Sequence, residues 1–150
     1  MTGKRLALWI GAGILIGGVL MMGFAYYIQT PRGGERIALG RAVYEKNCAS
    51  CHGVRLEGQP DWQRRLPNGR MPAPPHDDTG HTWHHAERVL FDITKYGLVP
   101  PHAPPGYQSD MPAFQAILSD DEIRAVLAYI KSHWSAKVMA WRAEALRNLE

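Results

Sequence analysis

Cysteine is nearly missing from this chain: of 150 residues only Cys48 and Cys51 carry a thiol. Two thiols alone do not make a closed zinc site, which needs further thiolate or imidazole ligands at a set spacing. Runs that read as β-strand are almost absent as well, and no internal repeat is evident. Without strands the chain reads as all-α, and without a βαβ unit the cysteine pair lacks the setting of a thioredoxin-like dithiol. There is no stripe of basic residues, so nothing points to nucleic acid as a partner. The net charge is +3. Without Lys4 and Arg5, fifteen basic and fourteen acidic side chains remain, a charge of +1. Residues 31–150 leave too little chain for a large sensing or catalytic domain.

The two cysteines stand in Cys48-Ala49-Ser50-Cys51-His52. Two thiols three residues apart can add to the two vinyl groups of one haem, and a histidine directly after the second lies under the iron as an axial ligand. C-x-x-C-H is the attachment signature of c-type haem. The expected cofactor is therefore one covalent haem c, bound through Cys48 and Cys51, with His52 as the proximal iron ligand.

One long apolar run is present, Leu6–Ile28, and it contains no charge. As a helix it would extend about 34 Å, enough for a hydrocarbon core of about 30 Å. Lys4 and Arg5 precede it, which places the N-terminus in the cytoplasm. Trp9 and the pair Tyr26 and Tyr27 suit the two interfaces, and Gly13-x-x-x-Gly17 offers a packing face for a partner transmembrane helix. Gly23-Phe24-Ala25 would serve as a signal-peptidase site. The run nevertheless exceeds the usual signal-peptide core, which favours an uncleaved signal-anchor over residues 1–30. In either case the remainder is exported, as covalent haem attachment requires in bacterial-type systems. The expected location is the inner membrane, single pass, with the haem domain on the periplasmic side.

After a linker at 31–34, a helix is expected over 35–47, leading directly into the haem motif, with Gly53 closing the short turn there. Residues 47–82 read as loop, punctuated by Pro60, Pro67, Pro72, Pro74 and Pro75. A second helix is expected over 83–96, capped by Thr82 and ended by Gly97. The proline-rich stretch 100–106 should be extended. Ser119-Asp120-Asp121-Glu122 is a capping box that opens the last helix of the domain, with Ile123, Val126, Leu127 and Ile130 on its apolar side. No Gly or Pro interrupts 135–150, so this helix either ends near Trp134 or runs on.

Met111, in Asp110-Met111-Pro112-Ala113-Phe114, is the first choice for the distal iron ligand, because a histidine–methionine pair suits electron transfer. Met71, also followed by proline, is the alternative. With C-x-x-C-H, M-P-A-F, Gly40 and Tyr44 in the first helix and Leu127-Ala128-Tyr129-Ile130 in the last, residues 35–134 resemble a class I c-type cytochrome. The resemblance implies a small helical domain wrapped round one haem, with Gly40 and Tyr44 crossing the Leu127–Ile130 face. It also implies a proline carbonyl that accepts a hydrogen bond from the proximal histidine, assigned to Pro60. Arg70 and Trp83 are candidate haem surroundings, as contacts to the propionates. Residues 135–150 extend beyond the family pattern.

Six of the seven histidines lie between His52 and His102. His81 and His84 or His85 would share a face if helical, and with Asp77 or Asp78 could hold Cu(II) or Zn(II). The plainer reading is a polar loop whose imidazoles bond propionates or backbone.

The functional expectation is a membrane-anchored, single-haem electron carrier rather than an enzyme. It would accept electrons from a donor such as a quinol-oxidising complex and pass them to an acceptor such as a terminal oxidase. The alternative is a permanently bound haem subunit of a larger oxidoreductase complex. A haem sensor or peroxidase would need an open sixth position, against which Met111 counts.

Overall fold

The computed structural model describes residues 31–147. The apolar run Leu6–Ile28 lies outside them, and among the described residues no helix is long and apolar enough to cross a membrane. The chain divides into two units, residues 1–35 and 36–150. Apart from the first turn of the first helix, the second holds everything that follows.

Its described secondary structure is helical: α1 (Pro31–Asn47), α2 (Ala49–His52), a 3-10 turn (Thr82–His84), α3 (Glu87–Tyr96), α4 (Asp120–Lys131) and α5 (Ala136–Ala145). Helix α1 starts at Pro31, so residues expected as linker are helical. Proline suits a first helical position, where its ring pre-sets φ and its missing N–H bonds nothing in any case.

The core forms where α1 crosses α4. A Cβ placed on Gly40 would lie 2.1 Å from the Ala125 carbonyl oxygen, so only glycine lets the two backbones meet there. One turn on, fully buried Tyr44 packs on Tyr129, ring centroids 5.5 Å apart, and its hydroxyl donates to the Gly53 carbonyl at 2.8 Å. The crossing falls on Ala125 and Tyr129, at the near edge of the expected Leu127–Ile130 face.

Helix α4 opens as its sequence requires. The Ser119 hydroxyl accepts from the Glu122 N–H, and the Glu122 carboxylate accepts from the Ser119 N–H at 2.8 Å. Ile123, Val126, Leu127 and Ile130 are buried. Helix α3 starts four residues later than expected, at Glu87. Thr82 does not cap it, because the Thr82 hydroxyl is turned inward to the Pro75 carbonyl and His76. Gly97 closes α3 with φ +83°. Residues 99–107 are not extended but folded into turns, with the His102 and Ala103 N–H groups donating to the Val99 carbonyl and Tyr107 N–H to Pro104.

Helix α4 stops at Lys131 without glycine or proline. The Ser132 hydroxyl donates back to the Tyr129 carbonyl at 2.6 Å, and the Ser135 N–H is taken by Asp78 at 3.0 Å. Ser135 then caps α5, accepting from the Val138 N–H. The extension is therefore a separate helix, docked on the 3-10 turn.

Candidate functional site

Helix α1 delivers the chain directly into the cysteine motif, with the Cys48 N–H bonded to the Tyr44 carbonyl at 2.8 Å. The single turn α2 then places Cys51 at the surface, Cys48 half-buried and His52 buried. Both thiols are free. Burial, and secondarily the neighbouring Cys51, push the Cys48 thiol up to about 11, so it is protonated at neutral pH.

His52 Nδ1 lies 2.9 Å from the carbonyl oxygen of Pro74. A carbonyl only accepts, so Nδ1 carries the hydrogen and Nε2 keeps its lone pair. Burial lowers the His52 pKa, outweighing the opposite effect of the Pro74 bond. The ring is thus neutral, with one nitrogen fixed and the other prepared for a metal.

The acceptor is Pro74 and not Pro60, and the reason lies in how the loop closes. Gln59 N–H donates to the Ala73 carbonyl at 2.9 Å, and Ala73 N–H donates to the Gln59 side chain at 2.8 Å. Residues 60–72 form an excursion beyond that neck, and Pro60 is exposed on it. The chain regains the interior at Pro74. Gly58, at φ +69°, lies against Pro75; a Cβ there would come within 2.4 Å of the Pro75 nitrogen.

Met111 is half-buried and packs against the buried cluster together with Cys48 and Trp83. Its segment is held at both ends. Asp110 is ion-paired to Arg70 across forty residues of sequence, and the Phe114 N–H donates to the Thr94 carbonyl at 3.1 Å. Met71 is half-buried but does not join the cluster. Arg70, expected near a propionate, is engaged instead by the carboxylate next to Met111.

Trp83 is half-buried, stacked on His84 with centroids 3.7 Å apart, and its Nε1 is a buried donor without an acceptor. Such a donor normally finds a partner, and a carboxylate would supply one.

The histidines meet only in part: His81 and His85 stand edge to face, with ring centroids 5.5 Å apart. They are not on one helix: His84 lies in the 3-10 turn and His85 is extended. His81 stacks on Trp62 at 5.2 Å and His84 on Trp83, while Asp77 bonds Thr79 and Asp78 bonds Ser135. Among the described residues no group of three or more His, Cys, Asp or Glu side chains is placed to hold a metal ion. The copper or zinc arrangement raised by the sequence is not formed among the described residues, which leaves the plainer reading of a polar loop.

A protein-family comparison matches the Cytochrome c model over residues 37–134. The chain belongs to the cytochrome c family. Comparisons with curated proteins and with solved structures found no match. The matched region starts within α1 and stops at Trp134, so α5 lies outside it. Cytochromes of this kind carry covalently bound haem c and transfer electrons, and Cys48 and Cys51 supply the paired thiols. The residues present fit that group: two free thiols on one turn, a neutral imidazole fixed at Nδ1, and an unsatisfied indole N–H for an acidic edge.

Sequence reasoning missed Pro74 and His76. The Pro74-Pro75-His76 run was visible, but its place beside His52 depends on the loop neck at Gln59 and Ala73.

Proposed function

We propose that this protein carries single electrons at a membrane surface. Cys48 and Cys51 would hold the haem covalently, and His52 and Met111 would supply the ligands to its iron. Bound there, the haem iron supplies a one-electron Fe(III)/Fe(II) couple. Pro74 keeps His52 in one tautomer, with Nε2 free to bind a metal.

The observation that supports the reading is the packing of Met111 against the same buried cluster that Cys48 packs on, with Asp110 locked to Arg70. A thioether ligand supplied from that segment would fill the sixth position that a sensor or peroxidase needs open. Residues 6–28 act as the anchor, with the haem domain on the periplasmic side of the inner membrane. The anchor raises the effective concentration near membrane partners. Donor and acceptor are redox proteins such as a quinol-oxidising complex and a terminal oxidase.

Absorption and magnetic spectra of the wild type, Met111→Ala and Met71→Ala test the ligand. The low-spin methionine–Fe(III) signature should disappear in Met111→Ala and persist in Met71→Ala; the reverse pattern would refute the assignment.

A permanently bound subunit is the second reading. It is favoured by α5, which lies beyond the family match and exposes Trp141 (45%) and Met139 (43%). Purification in mild detergent with a stoichiometric partner would support it, and rapid exchange of a lone protein would exclude it.

A further inference from the structure

His76, in the histidine-rich segment, has a position of its own in the fold. The rings of His76 and His52 are stacked, with centroids 4.0 Å apart and planes 18° from parallel. We propose that His76 is a positioning residue that clamps the plane of the His52 imidazole, so that the proximal ligand meets the haem iron in one orientation. The inference rests on the reading of His52 as proximal ligand.

The Pro74 bond does not fix that plane by itself. A hydrogen bond sets a direction and tolerates a wide range of angles. With Nδ1 tied to one oxygen, the ring can still tilt about the Nδ1–oxygen line. A parallel ring at 4.0 Å closes that freedom on one face.

His76 is able to act as a clamp because it is itself held at three points. Its N–H donates to the Leu56 carbonyl at 2.7 Å. Its carbonyl accepts from Trp134 Nε1 at 2.8 Å. Its Nδ1 lies 2.7 Å from the Thr82 hydroxyl, which in turn reaches the Pro75 carbonyl at 3.4 Å. Tyr44 stands edge-on to the same ring, with centroids 6.4 Å apart. Loss of solvation, and the nearby His52 and His81, hold the His76 imidazole well below its usual pKa, so the stacked pair is uncharged. An aliphatic residue would fill the space but present no flat face.

The orientation of an axial imidazole decides which iron d orbital its π system overlaps. That choice appears in the g values of the ferric protein and in the spread of the haem-methyl proton shifts. The experiment records both for the holoprotein as wild type, His76→Leu and His76→Phe. His76→Leu should shift the g values and change the methyl spread while the methionine signature remains. His76→Phe keeps a flat ring and should stay near the wild type. Unchanged spectra in His76→Leu, or equal shifts in both variants, would overturn the clamp. Should His76→Leu not accumulate, His76→Met carries the same test by replacing the ring with a flexible side chain of similar volume: shifted g values support the clamp, unchanged values refute it. A wild type without low-spin haem would overturn the ligand reading and the clamp together. A normal wild type with spectra indifferent to position 76 overturns the clamp alone.

Discussion

At the scale of single residues, the site depends on a few close approaches that no substitution of similar chemistry would preserve. Gly40 is the plainest. Any Cβ at that position would lie 2.1 Å from Ala125 oxygen and 2.6 Å from its carbonyl carbon, both backbone atoms that cannot swing aside. Gly40→Ala should therefore separate α1 from α4 and cost about 1–3 kcal/mol or more, as overpacking does. Denaturant unfolding of the holoprotein checks it; a loss below about 0.5 kcal/mol would mean that the helices can move apart freely. The same crossing explains why some residues were legible and others not. Gly40 and Tyr44 belong to one helix, and their place at the crossing was implied by the family resemblance. The haem attachment motif is contiguous and needs no fold to be recognised. The partner of His52 lies 22 residues away across a loop whose neck is closed by Gln59 and Ala73. Nothing in the spacing of five prolines says which one returns to the interior. His76 was visible as a histidine, but its stacking on His52 is a consequence of that same return.

At the scale of elements, helix ends were legible where side chains make local bonds and illegible where tertiary contacts decide. The Ser119 capping box involves residues three apart and forms as read. The break after Lys131 rests on Ser132, Ser135 and Asp78, the last 57 residues from its partner. Thr82 looked like a cap but is drawn inward by Pro75 and His76. Helix α5 is held in a comparable long-range way. Buried Arg142 donates from Nη1 to the Trp83 carbonyl at 2.9 Å and to the His85 carbonyl, lies 3.6 Å from the Glu87 carboxylate, and covers the Trp134 ring. Trp141 closes edge-on over Trp83 at 4.8 Å. Hydrogen bonds to a charged group contribute about 1.5–3 kcal/mol each. Arg142→Ala should therefore release α5 while leaving α4, which has its own cap and buried face. Amide hydrogen exchange is the measurement. Protection should be lost across 136–145 and kept across 120–131. Retained protection in both would show that Trp141 and Val138 suffice to dock the helix.

At the scale of the whole molecule, the pH response of stability should come in two steps of different origin. His81 and His85 have pKa values lowered first by burial and then by neighbouring cations or imidazoles: His84 for His81, and His81, His84, Arg142 and His102 for His85. A base with a lowered folded pKa takes up its proton later in the folded state than in the unfolded one. Above about pH 6.5, the ordinary histidine value, neither state is protonated and the full stability is present. As the pH falls below that value, the unfolded chain binds protons first and stability declines until the folded pKa is passed. The carboxylates act lower on the scale. Glu122 is held below the usual carboxylate range chiefly by the N–H and hydroxyl of Ser119, and Glu57 by backbone N–H groups including that of Arg55. Their contribution is present above about pH 4.3 and is lost as the pH falls through the lowered folded values. The unfolding midpoint of the holoprotein in denaturant should thus be lower at pH 5.5 than at pH 7.5, before the carboxylates begin to titrate. Both histidines are partly open to solvent, so the decline should be gradual and modest. Replacing His81 and His85 together with glutamine keeps polar side chains of similar reach and removes both titrating groups. In that variant the midpoint should fall less between pH 7.5 and 5.5 than in the wild type, the remaining decline coming from buried His76, with the lower step intact. If the double variant keeps the full wild-type slope in this interval, the protons are bound elsewhere in the molecule, and His81 and His85 have no part in its acid response.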